Sequence, residues 1–490
     1  MDIDPVTTTS SYRNKQLVKE HELNQAIRTL VVPTLDDDVR RALRALGEPV
    51  TYFGEDKADR RQRLSKLMAQ LRAEGQDSLL DSIQDTMMGE AGSDSEGAEA
   101  EEDEEFYTPG GPEILAARRN IARFSLRRSR LRLERQRAES AVSTLRHVKF
   151  RRAINEQLKQ FRQLGTQSGF SRPVSATRFS PNSMYLATGD WSGTVRLFTS
   201  KDLTQIAQLS GGHSGKTVGV EWHPQATLNQ SKSSLNLASG GIEGTVQLWS
   251  LDNQSPIASL KGHEGAVGGI DFHPSGQYLA SASDDYTWRL WDLETQKEIL
   301  MQEGHSKEVL TVRMQNDGAL LGSAGKDAIA RIWDLRQGTT AMILDGHIRE
   351  IYSLDFSPNG YQVATASGDN SVMIWDLRQT KSIFTIPAHT KLASCVRFFR
   401  GIPDGLQSSS LPFTESPGSD DLLSSAGTFL VTSSYDKTIK IWSADNWTLQ
   451  LSLEDSERAL SVDISNDRQF IVSGRFDRYL SLWAPENIQL

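Results

Sequence analysis

Beyond about residue 170 the apolar residues fall in short runs divided by polar turns, without the 3.6-residue stripe of a packed helix. The stretch VGGIDFHPSGQYLASASDDYTWRLWDL shows the unit: β-rich runs separated by HPSG and SDD turns, which predict a small antiparallel sheet. The pattern recurs. Runs end at Phe198, Trp249, Trp291, Trp333, Trp375, Trp442 and Trp483, with three successive spacings of 42 residues among them. Ten residues before each stands a Ser or Thr, and six residues before the last five stands an Asp. Gly-His or Ala-His opens five units, at His213, His263, His305, His347 and His389. Four strands per unit, seven times over, predict an all-β seven-bladed propeller across 166–490. The last unit lacks residues for its own outer strand, so a segment within Phe161 to Ser171 is expected to supply it and join the two ends of the ring.

The N-terminal region carries the helical period instead. Asp36 to Asp38 suit a helix start, Val39, Leu43 and Leu46 share one face, and Gly47 stops the helix. A second helix from about Ala58 aligns Leu64, Leu67, Met68 and Leu71. The expected plan is an extension over 1–34, helical or disordered, and a small helical motif over 35–71. A disordered acidic linker over 72–112 and a basic helical region over 113–165 follow, then the propeller with a disordered Ser/Pro/Gly-rich insertion at 401–427. The fold class is thus a β-propeller preceded by a mainly α-helical, partly disordered region.

Charge sharpens this division. Residues 90–112 hold 9 acidic and no basic residues, whereas 113–162 hold 15 basic against 4 acidic. A Pro-free run dominated by Leu, Ile, Ala, Arg and Gln predicts one long helix over 113–162. Arginine outnumbers lysine there, which suits bidentate phosphate contact. A solvated helix or a nuclear import signal is the competing reading. The candidate RNA-contacting residues are Arg40, Arg41, Arg44, Arg60, Arg61, Arg63 and Lys66 in the small motif. In the basic region they are Arg118, Arg119, Arg123, Arg127, Arg128, Arg130 and Arg132. One cysteine, Cys395, excludes an internal disulfide and a CxxC zinc site. No apolar run is long enough to span a membrane, and the first residues lack the pattern of a secretory signal.

Ser or Thr, His and Asp are the side chains of a hydrolytic triad. Repetition at fixed spacing beside a Trp points instead to a structural brace: His263, Ser281, Asp285 and Trp291; His305, Ser323, Asp327 and Trp333; His347, Thr365, Asp369 and Trp375. The first unit, with Ser192 in place of Asp, and the seventh, without the His, are expected to be less well braced. Ser210 to Thr217 approaches a phosphate-binding loop but lacks its first glycine and opens a blade where a strand-to-helix turn is required. His223 and His273 read as turn residues. The chain therefore reads as no enzyme, with no metal or cofactor.

The Trp-Asp endings at Trp291-Asp292, Trp333-Asp334 and Trp375-Asp376, with the Gly-His openings, resemble the WD40 family over roughly 170–490. LRALGEPVTYFGE followed by ADRRQRL resembles a short splicing-factor motif, carried here by Arg40, Arg44, Gly47, Glu48, Pro49, Phe53, Gly54, Arg61 and Arg63. FYTPGGPEILAARRNIARFSLRRSRLRLERQ extends the likeness, so the chain resembles the WD-repeat splicing factors of the U4/U6 small nuclear ribonucleoprotein, the pre-mRNA processing factor four family. This resemblance implies a nuclear, non-enzymatic scaffold of the U4/U6 and U4/U6.U5 particles. It implies contact with U4/U6 snRNA through the N-terminal region, and partners including a second U4/U6-specific protein and a nuclear cyclophilin. The alternative is a protein-only WD40 adaptor, such as a substrate receptor of a modifying complex.

Overall fold

A computed structural model describes residues 36–46, 57–73, 113–401 and 423–486. The expected extension 1–34, the turn carrying Gly47, Glu48, Pro49, Phe53 and Gly54, the linker from 74 to 112 and positions 402–422 of the insertion lie outside the described residues. The chain divides into two compact units, Met1–Glu102 and Asp103–Leu490.

In the first unit, α1 (Asp36–Ala45) packs on α2 (Lys57–Ala73). Val39, Ala42 and Leu43 of α1 meet Leu64 and Met68 of α2, with Leu46 and Leu67 alongside. These are the faces that the apolar spacing predicted.

Among the described residues of the second unit are twenty-eight strands, β1 to β28, forming seven four-stranded sheets. Blade 1 is β2 to β5 (174–209), blade 2 is β6 to β9 (217–261) and blade 3 is β10 to β13 (267–302). Blade 4 is β14 to β17 (309–344), blade 5 is β18 to β21 (351–386) and blade 6 is β22 to β25 (393–454). Blade 7 joins β26 to β28 (459–485) with β1 (Phe161–Gln167). The closure is antiparallel, from Phe161 against Pro485 to Gln167 against Leu480. A strand from before blade 1 thus pairs with β28 and completes blade 7 as its outer strand, as anticipated.

Two expectations change. The basic region is not one helix: α3 (Glu113–Ser140) ends in a turn at Ala141 and Val142, and α4 (Thr144–Leu158) starts anew after Ser143, whose backbone is extended. Nor does a boundary fall at 165/166, which lies inside β1. Both helices pack into the propeller unit because each carries an apolar stripe that the blades bury. Ile114, Ala117 and Ile121 of α3 join a core with Trp288, Leu300 and Trp333 of blades 3 and 4. Ile154 and Leu158 of α4 join Phe399, Phe429 and Trp483 of blades 6 and 7. The outer strands register this cover. In β13 (Lys297–Gln302), beside α3, Ile299 and Leu300 are buried, whereas β21 (Lys381–Ile386) leaves Ile383 and Phe384 exposed.

Candidate functional site

Antiparallel blades put the turns between first and second strands on one face of the ring, and the second-to-third turns with the inter-blade connections on the other. Helix α3 crosses the first of these faces. Phe124 packs against His273 in the first turn of blade 3, with ring centroids 5.5 Å apart. Ser129 and Arg132 both donate to Asp317 in the blade 4 turn, Arg132 Nε at 2.8 Å. Arg132 and Gln136 donate to the Asn359 carbonyl in the blade 5 turn, each at 2.9 Å. Finally the Ser424 N–H donates to Glu139, at 2.9 Å, in the blade 6 loop. One polar edge of the helix is therefore read turn by turn by four consecutive blades.

This anchoring sorts the candidate arginines. Arg118, Arg128 and Arg132 lie on or beside the inward stripe: Arg118 sits above Gly338, Arg128 stacks over Phe124 at 5.4 Å, and Arg132 holds Asp317. Arg119, Arg123, Arg127 and Arg130 are exposed, although Arg130 pairs with Glu134 along the helix at 2.9 Å. Leu115, Leu126, Leu131 and Leu133 share this outer surface. The run of arginines thus splits by helical period into an anchoring set and a presented set.

In the first unit Arg41, Arg44, Arg61 and Lys66 are exposed, and Arg40 and Arg63 half-buried. Arg60 is different: it is only 5% exposed. Its place one turn before Leu64 and two before Met68 puts it on the apolar face, which the count of basic residues could not convey.

The repeated Ser/Thr, His, Asp and Trp sets form braces. In blade 3, His263 Nδ1 lies 2.7 Å from Asp285 and Nε2 2.6 Å from Ser281 Oγ, while the Trp291 indole N–H donates to that hydroxyl at 2.8 Å. The sets on His305 and His347 repeat this within about 0.1 Å. His389 with Asp436, Thr432 and Trp442 does the same in blade 6, and His213 uses Glu243 in blade 2. Ser281, Ser323 and Thr365 are fully buried, so no carbonyl can approach their hydroxyls. The seventh blade is braced after all. Asp455 fills the histidine's place, accepting from Ser473 at 3.0 Å and Ser481 at 3.3 Å and pairing with Arg475 at 3.0 Å. Blade 1 is the less well braced, as expected: the Thr188 hydroxyl donates to the Arg196 carbonyl at 3.4 Å, while Asp190 accepts from Ser192 and Thr194 within its own turn. The turn histidines also do more than turn: His223 and His273 each bond the glycine carbonyl in the next blade's turn, Gly276 at 3.0 Å and Gly318 at 2.9 Å.

One constellation went unread in the sequence. The penultimate residue of every blade's first strand is charged: Arg178, Glu221, Asp271, Arg313, Asp355, Arg397 and Asp463. They converge on the ring's axis. Glu221 receives Arg178 at 3.0 Å and Arg313 at 2.8 Å, and Asp355 holds Arg400 at 3.1 Å. Asp271, Asp355 and Asp463 each accept the N–H that follows the charged residue of the next blade, from Met314, Phe398 and Phe179. Burial raises Asp271 and Asp463 to about 6, and the paired guanidiniums limit that rise. A single charge inside an apolar strand, recurring once per unit, was the available signal.

Among the described residues no His, Cys, Asp and Glu cluster fits a metal ion, and no helix is long and apolar enough to cross a membrane.

Comparison with known proteins bears on this pairing of a small helical unit with a braced ring. Residues 39–67 match the family described as pre-mRNA processing factor 4 (PRP4) like. The WD domain, G-beta repeat matches 161–199, 254–292, 296–334, 338–376, 420–443 and 447–484. The chain thus combines a PRP4-like segment with WD40 repeats. An uncharacterised WD repeat-containing protein of Schizosaccharomyces pombe is 41% identical over 265 residues, covering 54% of each chain. The U4/U6 small nuclear ribonucleoprotein PRP4 of Saccharomyces cerevisiae is 32% identical over 291 residues, 58% of this chain and 59% of that one. The mouse U4/U6 small nuclear ribonucleoprotein Prp4 is 37% identical over 229 residues, 47% and 42%. The chain thus spans about half the length of the curated relatives it matches. The first three strands of blade 2 (217–249) fall outside the matched repeats, yet this blade closes the same brace with Glu243 in place of Asp.

Proposed function

We propose that this chain is a nuclear, non-enzymatic scaffold of the U4/U6 small nuclear ribonucleoprotein and its U4/U6.U5 assembly in pre-mRNA splicing. The relatives' names support the particle, and the PRP4-like unit joined to a WD40 ring supports the scaffold role. The observation that carries the RNA contact is the locking of α3 along one edge, which leaves Arg119, Arg123 and Arg127 presented from a rigid support. Guanidiniums fixed in this way lose little entropy on meeting phosphates, and duplex RNA is recognised mainly through backbone and shape. Arg41, Arg44, Arg61 and Lys66 supply a second basic surface in the PRP4-like unit. The ring, closed and braced, is the platform for the second U4/U6 protein and, following the family, a nuclear cyclophilin.

Because α3 packs on the blades, the full chain is the object to test. Its affinity for paired U4/U6 RNA is expected to fall steeply with salt. Replacing Arg119, Arg123 and Arg127 with Glu should reduce the log-log salt slope by about 0.9 for each phosphate that is no longer neutralised. A salt-independent affinity, or an unchanged slope in the variant, rejects phosphate gripping by α3 and favours the protein-only adaptor.

A further inference from the structure

On the face opposite α3, the inter-blade connections of blades 5, 6 and 7 surround an open cavity of about 410 Å³. Its lining is Arg349, Gly368, Asn370, Thr390, Lys391, Leu392, Tyr435 and Arg458, so three cations and no carboxylate border it. On the same face Lys326 pairs with Glu308 and Lys437 with Glu457, each at 2.9 Å. Arg349, Lys391 and Arg458 have no ion pair among the described residues. The nearby brace carboxylates, Asp369 and Asp436, are occupied by His347 and His389 at 2.7 and 3.0 Å. Two further acids lie close by: Glu350, near enough that a Cβ on Gly368 would lie 3.2 Å from its Oε2, and Glu457, which accepts the Arg458 N–H at 3.3 Å. Because Glu457 is already paired with Lys437, the three cations outnumber the carboxylates left to them and keep an excess positive charge suited to an oxyanion.

The walls are also preformed. The Gly368 N–H bonds the Glu350 carbonyl at 2.8 Å, the Tyr435 N–H bonds the Leu392 carbonyl at 3.2 Å, and the His389 N–H bonds the Asn370 carbonyl at 3.1 Å. Arg458 is steered by two rings, 5.9 Å from the centroid of Tyr435 and 5.6 Å from that of Phe476. Exposed guanidiniums held by aromatic faces keep their N–H forks free for an incoming oxyanion.

We propose that this cavity binds a phosphorylated serine or threonine of a partner polypeptide. A phosphate monoester brings close to two charges and three acceptor oxygens, which a lone carboxylate does not. A continuous polynucleotide fits less well, because Glu264, Glu308, Glu350 and Glu457 interrupt the positive field around the same face. Leu392 and the Tyr435 ring give the flanking peptide apolar surface. The inference rests on the ring's role as a partner platform and not on RNA contact by α3.

The test uses the full chain and a mixture of short peptides with randomised flanks around phosphoserine or phosphothreonine, beside the unphosphorylated mixture. Phosphorylated peptides are expected to be enriched, and binding of the best of them should fall about tenfold or more in Arg349→Glu/Arg458→Glu. Arg349→Gln/Arg458→Gln should weaken it in the same direction. Lys232→Glu/Lys261→Glu, an equal double reversal on exposed positions of blade 2, should keep binding within about twofold. Thermal unfolding of each variant checks that the ring is intact. The proposal is overturned if phosphorylation brings no enrichment, if binding survives both double substitutions, or if a short oligouridylate displaces the peptide at equal concentration. Recovery of U4/U6 RNA with the tagged chain, scored in parallel, separates failure of this site from failure of the scaffold reading.

Discussion

Arginine serves two opposite ends in this molecule. At the centre of the ring Arg178, Arg313 and Arg397 are at most 9% exposed, and carboxylates from other blades surround them. On α3, Arg119, Arg123 and Arg127 stand in water above a helix whose other edge is fastened to the blades. The central residues tie seven sheets that share no covalent closure, whereas the outer ones keep their hydration. The difference lies in desolvation. A buried guanidinium has already given up its hydration and must keep its carboxylate, while an exposed one can exchange water for phosphate.

The comparison breaks most visibly at the axis. Arg313→Ala strips Glu221 of its shorter ion pair and Asp271 of a neighbour, and should cost about 3 to 5 kcal/mol in urea unfolding. A change under about 1 kcal/mol would mean that the axial charges are hydrated and belong with the surface set. Next comes a contrast within α3 itself. Arg132→Ala removes bonds to Asp317 and Asn359 and should cost about 1.5 to 3 kcal/mol, whereas Arg127→Ala should stay within about 0.5 kcal/mol. Equal costs would dissolve the distinction between anchoring and presented arginines.

The smallest effect is expected in pH dependence. Burial lifts the Asp271 carboxyl to about 6, above its ordinary 3.8, against the pull of Arg313. A carboxyl raised on folding stabilises when protonated, so its contribution is complete below about pH 4 and lost as pH rises through about 6. The wild-type chain should therefore gain stability from this group between about pH 7 and about pH 5, and Asp271→Asn should flatten that limb. Urea midpoints at the two pH values measure it, and an identical limb in the variant would show that Asp271 does not titrate there.

Much of the fold was legible because blades are local. The recurrence of Trp, Asp, Ser or Thr and His marked most of the sheets, and the strand from before blade 1 pairs with blade 7 where it was expected. The braces on His263, His305 and His347 followed from the same spacing. Blade 7 escaped, since Asp455 and Arg475 rebuild the brace with different chemistry in nearly the same space. The split of the basic helix also escaped, because Ala141 and Val142 carry no breaker. Arg60 was counted with the surface cations, although α1 covers the face it shares with Leu64.

By itself the order of residues determined how many blades form, which hydroxyl, imidazole and carboxylate meet inside each, and how charge is divided along the chain, all of which depend on neighbours a few tens of residues apart. Only the tertiary structure decided which arginines are consumed as anchors, which charges converge on the axis, and which cations border an open cavity. Those outcomes depend on surfaces from distant blades arriving at one place, where burial changes what each charge costs.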